Sequence, residues 1–164
     1  MNTLTHALLP VLAARPLLTA GLGHPTPRRR EFFLIGVAGA LPDVLNPHLS
    51  LAARLASWSH AAWCWLAFTA VVLAVARLRP GWLAPRVAWL MSGAYLLHQA
   101  CDAISGGVAW LNPWSRVVVG GRWVPFAWWI PLDAVLLFAT YLVFRCWPRW
   151  RDLRTKNAAR PPQT

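Results

Sequence analysis

Three imidazoles and two carboxylates stand out in this sequence because their neighbours are apolar: His6, Asp43, His60, His98 and Asp102. The clearest pattern is His98-x-x-x-Asp102. On a helix, residues at i and i+4 share a face, and imidazole nitrogen with carboxylate oxygen suits Zn²⁺ and several other divalent ions. A simple His–Asp hydrogen bond that stabilises the helix is the other reading of the pair. Asp43 follows Pro42 at the end of an apolar run. It reads as a metal ligand or as a helix cap, since Asn46-Pro47 is a turn signal. His60, after Ser57-Trp58-Ser59, is a ligand or an interfacial histidine. His6, after Thr5, is a ligand, a group behind one, or an ordinary helix-start residue. His48 reads as a loop residue, and His24 lies away from the others.

The elements that must position these groups are membrane helices. Of 164 residues, 57% are hydrophobic and 13% charged, against about 25% charged in an ordinary soluble domain. The length suits one domain. The net charge is +11, but the arginines sit between and after apolar runs: Arg28–Arg30, then Arg77, Arg79 and Arg86, then a tail from Arg145 to Arg160. That marks a cytoplasmic face rather than the basic patch of a soluble nucleic-acid binder, so no nucleic acid is expected as a partner. Cys64, Cys101 and Cys146 show no paired spacing and read as buried small side chains. The opening residues lack the basic region and cleavage site of a removable signal peptide.

The expected fold is all-α, a polytopic membrane bundle of four to five transmembrane helices. The apolar runs are 4–22, 32–48, 61–76, 87–104 and 125–144. A segment near 20 residues crosses the ~30 Å hydrocarbon layer. Residues 32–45 give only about 21 Å of helix, so that segment crosses thinly or dips in and returns. Residues 1–148 form the membrane-embedded domain, and 149–164 form a basic tail that rests on anionic lipid. Five spans place the three basic stretches on one side, with the C-terminus in the cytoplasm. Trp110, Trp114 and Trp123 then mark the outer boundary, and Trp82, Trp147 and Trp150 the inner one.

This topology, drawn from hydropathy and arginines, also brings His6, Asp43, His60, His98 and Asp102 to one level on the outer side. A carboxylate isolated in lipid is costly, and a shared metal would neutralise the pair. Asp133 orients a ligand or pairs with an arginine such as Arg15. Glu31 and Asp152 sit beside arginines at membrane edges and need no function. Gly106-Gly107 is a helix exit or a point of close substrate approach.

On these residues the chain resembles the YdjM-like family of membrane-bound metal-dependent hydrolases, from about His6 to Pro113. The resemblance rests on His6 in THALL, Leu41-Pro42-Asp43, the helix-opening His60, and the run HQACDAISGGVAWLNP with His98, Asp102, Gly107 and Pro113. The order of ligands is also similar, more thinly, to the zinc-dependent phospholipase C and nuclease superfamily. Three positions depart from the family pattern. Leu45 replaces a second Asp, Asn46 stands where His is frequent, and Leu55-Ala56-Ser57 replaces a His-Arg-Gly.

The resemblance implies a divalent metal held by His6, Asp43, His60, His98 and Asp102, with Asp43, His98 and Asp102 as the catalytic set. Zinc is the expected ion, with manganese or magnesium as alternatives. The expected activity is hydrolysis of a phosphate ester or lipid-linked substrate at the interface, with membrane lipid as partner and the bacterial cytoplasmic (inner) membrane as location. Arg116 or Arg122 would receive an anionic headgroup. Two other classes fit the residues. One is a structural or adaptor protein with a metal or polar cluster that only holds the bundle. The other is a small transporter lined by Asp102 and Asp133.

Overall fold

A computed structural model describes residues 2–19, 28–47 and 51–150. His24, His48, Asp152 and the tail from residue 151 onward lie outside them. Six α-helices follow in chain order: α1 (Thr3–Thr19), α2 (Arg29–Leu45), the short α3 (Leu51–Leu55), α4 (Ala62–Leu78), α5 (Pro85–Ile104) and α6 (Trp129–Tyr141). A 3₁₀ turn, Trp58–His60, precedes α4. Another precedes α6, which continues through a π-type segment so that one helix runs from Phe126 to Trp150.

The boundaries follow local chemistry. Glu31 Oε2 accepts the Arg28 N–H at 3.1 Å, satisfying one of the free donors at the start of α2. Arg79-Pro80-Gly81 ends α4, and Pro85 opens α5 where its missing N–H costs nothing. At the far end of α5 the chain folds back on itself. Val108 and Val119 exchange backbone hydrogen bonds of 3.0 and 2.9 Å, while the N–H groups of Gly121 and Trp123 reach the Ala103 and Ile104 carbonyls. The 105–124 loop thereby covers the unsatisfied end of α5. Gly120 sits at φ +100 where an added Cβ would meet the Ala103 carbonyl at 2.1 Å. Among the described residues this loop holds two isolated β-bridges and no strand.

The helices alternate in direction. α1, α4 and α6 begin at the end of the bundle where α2 and α5 finish. α2 and α5 pack at the centre, with α1 on α2, α4 on α5, and α6 on α1. The core between them uses small and branched side chains, including Ile35, Ala38, Ala76, Val87, Ala88 and Ala94. Small residues let helix backbones approach closely. Gly39 is the tightest case: a Cβ there would lie 2.2 Å from the His6 carbonyl oxygen.

All five apolar runs form helices close to the expected limits. Only Phe126–Trp150, with 25 residues, is long and apolar enough to cross a membrane among the described residues. Helices α1, α2 and α4 have 17 residues each, about 25 Å against the ~30 Å of hydrocarbon. Helix α5 reaches 20 residues but carries Arg86, His98 and Asp102. By length and composition, the helical class stands and the count of four to five spans does not follow from it.

Candidate metal centre

The centre forms at the end of the bundle where α2 and α5 stop. His98 and Asp102 lie one turn apart on α5, both buried, with His98 Nε2 3.2 Å from Asp102 Oδ2. His98 Nδ1 lies 2.7 Å from the Gly39 carbonyl oxygen. A carbonyl can only accept, so Nδ1 carries the proton and Nε2 presents a lone pair. The bare Cα of Gly39 permits this bond, because it brings α2 against α1 and within reach of α5.

His60 is fixed in the same tautomer by serines. Ser59 Oγ donates to the Pro42 carbonyl at 2.7 Å. Asn46 Nδ2 donates to Ser57 Oγ at 2.9 Å, and the two serine oxygens are 2.8 Å apart. With the Ser59 proton spent on Pro42, the Ser57 proton belongs on Ser59 Oγ. His60 Nδ1, 3.1 Å from each serine oxygen, then meets only lone pairs and must donate. The turn carrying His60 is itself held by α5, through Tyr95 Oη to the Ser59 carbonyl at 2.5 Å and Gln99 Nε2 to the Ala61 carbonyl at 3.2 Å.

The two lone-pair nitrogens therefore face each other. His60 Nε2 and His98 Nε2 are 3.1 Å apart, in a place where two acceptors repel unless a proton or a cation lies between them. Carboxylates complete the set. His60 Nε2 is 3.2 Å from Asp102 Oδ2 and 3.5 Å from Asp43 Oδ1, and His98 Nε2 is 3.6 Å from Asp43 Oδ1. Four ligand atoms, one each from Asp43, His60, His98 and Asp102, fall within 4.8 Å of one another. Ligands at 2.0–2.1 Å around a tetrahedral zinc stand about 3.3 Å apart. Five of the six edges here run from 3.1 to 3.6 Å. Burial pulls the His60 pKa down, but the adjacent Asp102 and Asp43 carboxylates outweigh it and hold it above the ordinary histidine value. In the absence of another cation, a proton is favoured in this gap.

The remaining groups sit around this set. Asp43 is the most open ligand, its side chain 14% exposed, and its Oδ2 accepts the Thr3 hydroxyl at 2.7 Å. His6 is buried, its ring 3.8 Å from that of His98, with Nε2 3.3 Å from Asp102 Oδ1. That pair lacks hydrogen-bond alignment, and neither His6 ring nitrogen has a hydrogen-bond partner. The structure thus brings all five sequence-derived residues together. It adds a sixth, Arg54 of α3, buried and 2.7 Å from Asp102 Oδ1 through Nη1. In the sequence Arg54 looks like one more outer-loop arginine. The available signal was its place six residues before His60, beside the position where Leu55 departs from the family pattern. Arg116 and Arg122 are exposed on the 105–124 loop.

Asp133 does not join the centre. It accepts hydrogen bonds from Asn2 Nδ2, at 2.6 Å, and from the Thr5 hydroxyl, which ties α6 to α1. Arg15, proposed as its partner, instead lies over the Phe144 ring at 5.3 Å. Of the departures, Leu45 is exposed and Asn46 supports Ser57 rather than the ligand atoms. Glu31 lies 3.8 Å from Arg86 at the opposite end of the bundle. The three cysteines are free, Cys64 and Cys101 buried among helices.

Fold and centre together define a small helical protein with one helix long and apolar enough to cross a membrane and a buried His–Asp cluster that could hold a metal ion. The chain belongs to the YdjM inner membrane protein family, whose model matches residues 1–159. No curated protein and no solved structure matches it.

Proposed function

We propose that this protein is a membrane-bound, metal-dependent hydrolase that cleaves a phosphate ester of a lipid-linked substrate at the membrane interface. The observation that carries the reading is the 3.1 Å approach of two lone-pair imidazole nitrogens between two carboxylates. A divalent ion, zinc on ligand type and spacing, fits that gap. When bound it supplies Lewis-acid polarisation and activation of water near neutral pH. The residues do the rest. Gly39 and the Ser57–Ser59 pair lock the two imidazoles in the ligating tautomer. Asp43, on the open side and held by Thr3, is placed to accept a proton from an incoming water. Asp102 is the buried anchor.

A lipid-linked substrate is supported by a cleft of 1090 Å³ between α2 and α6, floored by α1 and lined by Ala7, Phe33, Gly36, Ala40, Ala134 and Phe138 among others. Thr3 and Asp43 lie one turn beyond Ala7 and Ala40 on the same helix faces. The apolar cleft thus leads toward the open ligand. We also place the chain as multi-pass, with its C-terminus in the cytoplasm. Alternating helices put Arg28–Arg30, Arg77, Arg79, Arg86, Arg145 and Arg149 at the end opposite the centre, as cytoplasmic basic residues are placed. Short helices cross by thinning the bilayer locally.

A structural metal centre is the second reading, favoured by the fact that four protein ligands already suffice for a closed tetrahedral site. The test is elemental mass spectrometry of detergent-purified protein, for the native chain and for His98→Ala with Asp102→Ala, followed by turnover assays on phosphatidic acid and other lipid phosphates. One metal per native chain, absent from the double variant, with metal-dependent phosphate release supports the hydrolase. Metal without turnover of any lipid phosphate leaves the structural centre. No metal after reloading with zinc or manganese sinks both.

A further inference from the structure

We infer that the centre takes one divalent ion and not two, because the Arg54 guanidinium occupies the place of the second. The inference rests on the metal-centre reading above. The two oxygens of Asp102 face different surroundings. Oδ2 meets His60 Nε2 and His98 Nε2, each at 3.2 Å. Oδ1 meets Arg54 Nη1 at 2.7 Å and His6 Nε2 at 3.3 Å. A carboxylate oxygen and an imidazole nitrogen so placed are half of a further metal site, and His6 is fully buried without a hydrogen-bond partner for either ring nitrogen. The guanidinium closes that half-site as a fixed cation.

Three contacts hold it there. Besides the bond to Oδ1, Arg54 Nη2 donates to the Asp102 and Gly107 carbonyls, each at 3.4 Å. A planar fork of this kind is always charged and cannot be displaced by deprotonation. Charge balance agrees. Among the described residues, two carboxylates against one guanidinium and one divalent ion leave a single positive charge, which suits an anionic phosphate ester. A second divalent ion beside the guanidinium would leave three uncompensated charges in a buried site, where unpaired charge is strongly disfavoured. Arg54 is thus a positioning residue: it holds Asp102 by Oδ1 and keeps Oδ2 turned toward His60 and His98.

The test counts metal ions rather than turnover. Purified full-length protein is titrated with Mn²⁺, and both the bound equivalents and the electron paramagnetic resonance signal are read. The native chain is expected to bind one equivalent with the signal of an isolated ion. Arg54→Lys keeps a cation in place and should also bind one. Arg54→Ala should bind two, show the exchange coupling of a metal pair, and recover thermal stability only as the second equivalent fills. An arginine that merely tied α3 to α5 would give a folded Arg54→Ala with weakened binding and no second equivalent. One equivalent in Arg54→Ala at unchanged affinity overturns the inference. If Arg54→Ala does not fold, the native chain decides, since two coupled ions there overturn the inference while leaving the metal centre intact. No binding by the native chain rejects the metal centre itself.

Discussion

Helices α5 and the one running from Phe126 to Trp150 are the two longest among the described residues, and they are built inside out relative to each other. α5 buries His98, Gln99 and Asp102 to within 1% of full burial. The last helix buries nothing, and shows Ile130 at 73%, Val135 at 63% and Phe138 at 62% exposure. A water-soluble bundle has the opposite pattern. The difference says which solvent each helix was built for. The polar groups of α5 turn inward, His98 to the Gly39 carbonyl, Gln99 to the Ala61 carbonyl and Asp102 to Arg54, while the last helix turns apolar side chains outward. The contrast also separates two tasks, since the exposed apolar helix contributes no group to the candidate centre and the helix that carries His98 and Asp102 has little free surface.

The contrast can be broken most severely at Asp102. Asp102→Ala leaves the Arg54 guanidinium buried without its carboxylate, and loss of one partner of such a pair costs about 3–5 kcal/mol. The thermal midpoint in detergent should fall accordingly, whereas Val135→Ala on the exposed face should leave it nearly unchanged. The reverse substitution sharpens the point from the lipid side. Val135→Asp should raise the cost of membrane insertion by about 2.5–3.5 kcal/mol, read in a translocation assay, with metal content unaltered in the chains that do insert.

Smaller effects should follow from pH. The Asp102 and Asp43 carboxylates outweigh burial and hold the His60 pKa above the ordinary histidine value. Metal uptake needs the neutral imidazole, so affinity should fall as pH drops through that raised value, by up to about tenfold per pH unit. The metal-free fold behaves oppositely. Its stabilisation by the imidazolium is complete below the unfolded pKa and is lost as pH rises through the folded one. Zinc isotherms and metal-free melting curves over the same pH range should therefore slope in opposite directions. A zinc affinity that does not change with pH through that range would mean that His60 is not a ligand.

Much of this arrangement was legible in the sequence, for one physical reason. Apolar runs too short to fold back on themselves, separated by short breaks, must alternate in direction. His6, Asp43, His60, His98 and Asp102 then fall at one end by parity alone. What parity cannot give is side-chain reach. Nothing in a hydropathy profile says that the Arg54 guanidinium turns inward to Asp102. Asp133 found Asn2 and Thr5 rather than Arg15 because α6 packs along α1 with its start beside the start of α1, a register that is set by packing. The support of His60 by Ser57, Ser59 and Asn46 depends on a turn geometry that composition does not encode.

The attachment of α6 has a consequence for the order in which the molecule is made. Every group placed at the centre, from His6 to Asp102, precedes the last described helix, which packs on α1 and is joined to it at Asp133 by Asn2 and Thr5. A chain emerging from the ribosome carries these five residues before Phe126–Trp150, its longest apolar helix among the described residues, is synthesised. The final helix then arrives as a latch on an assembly whose chemistry is already encoded.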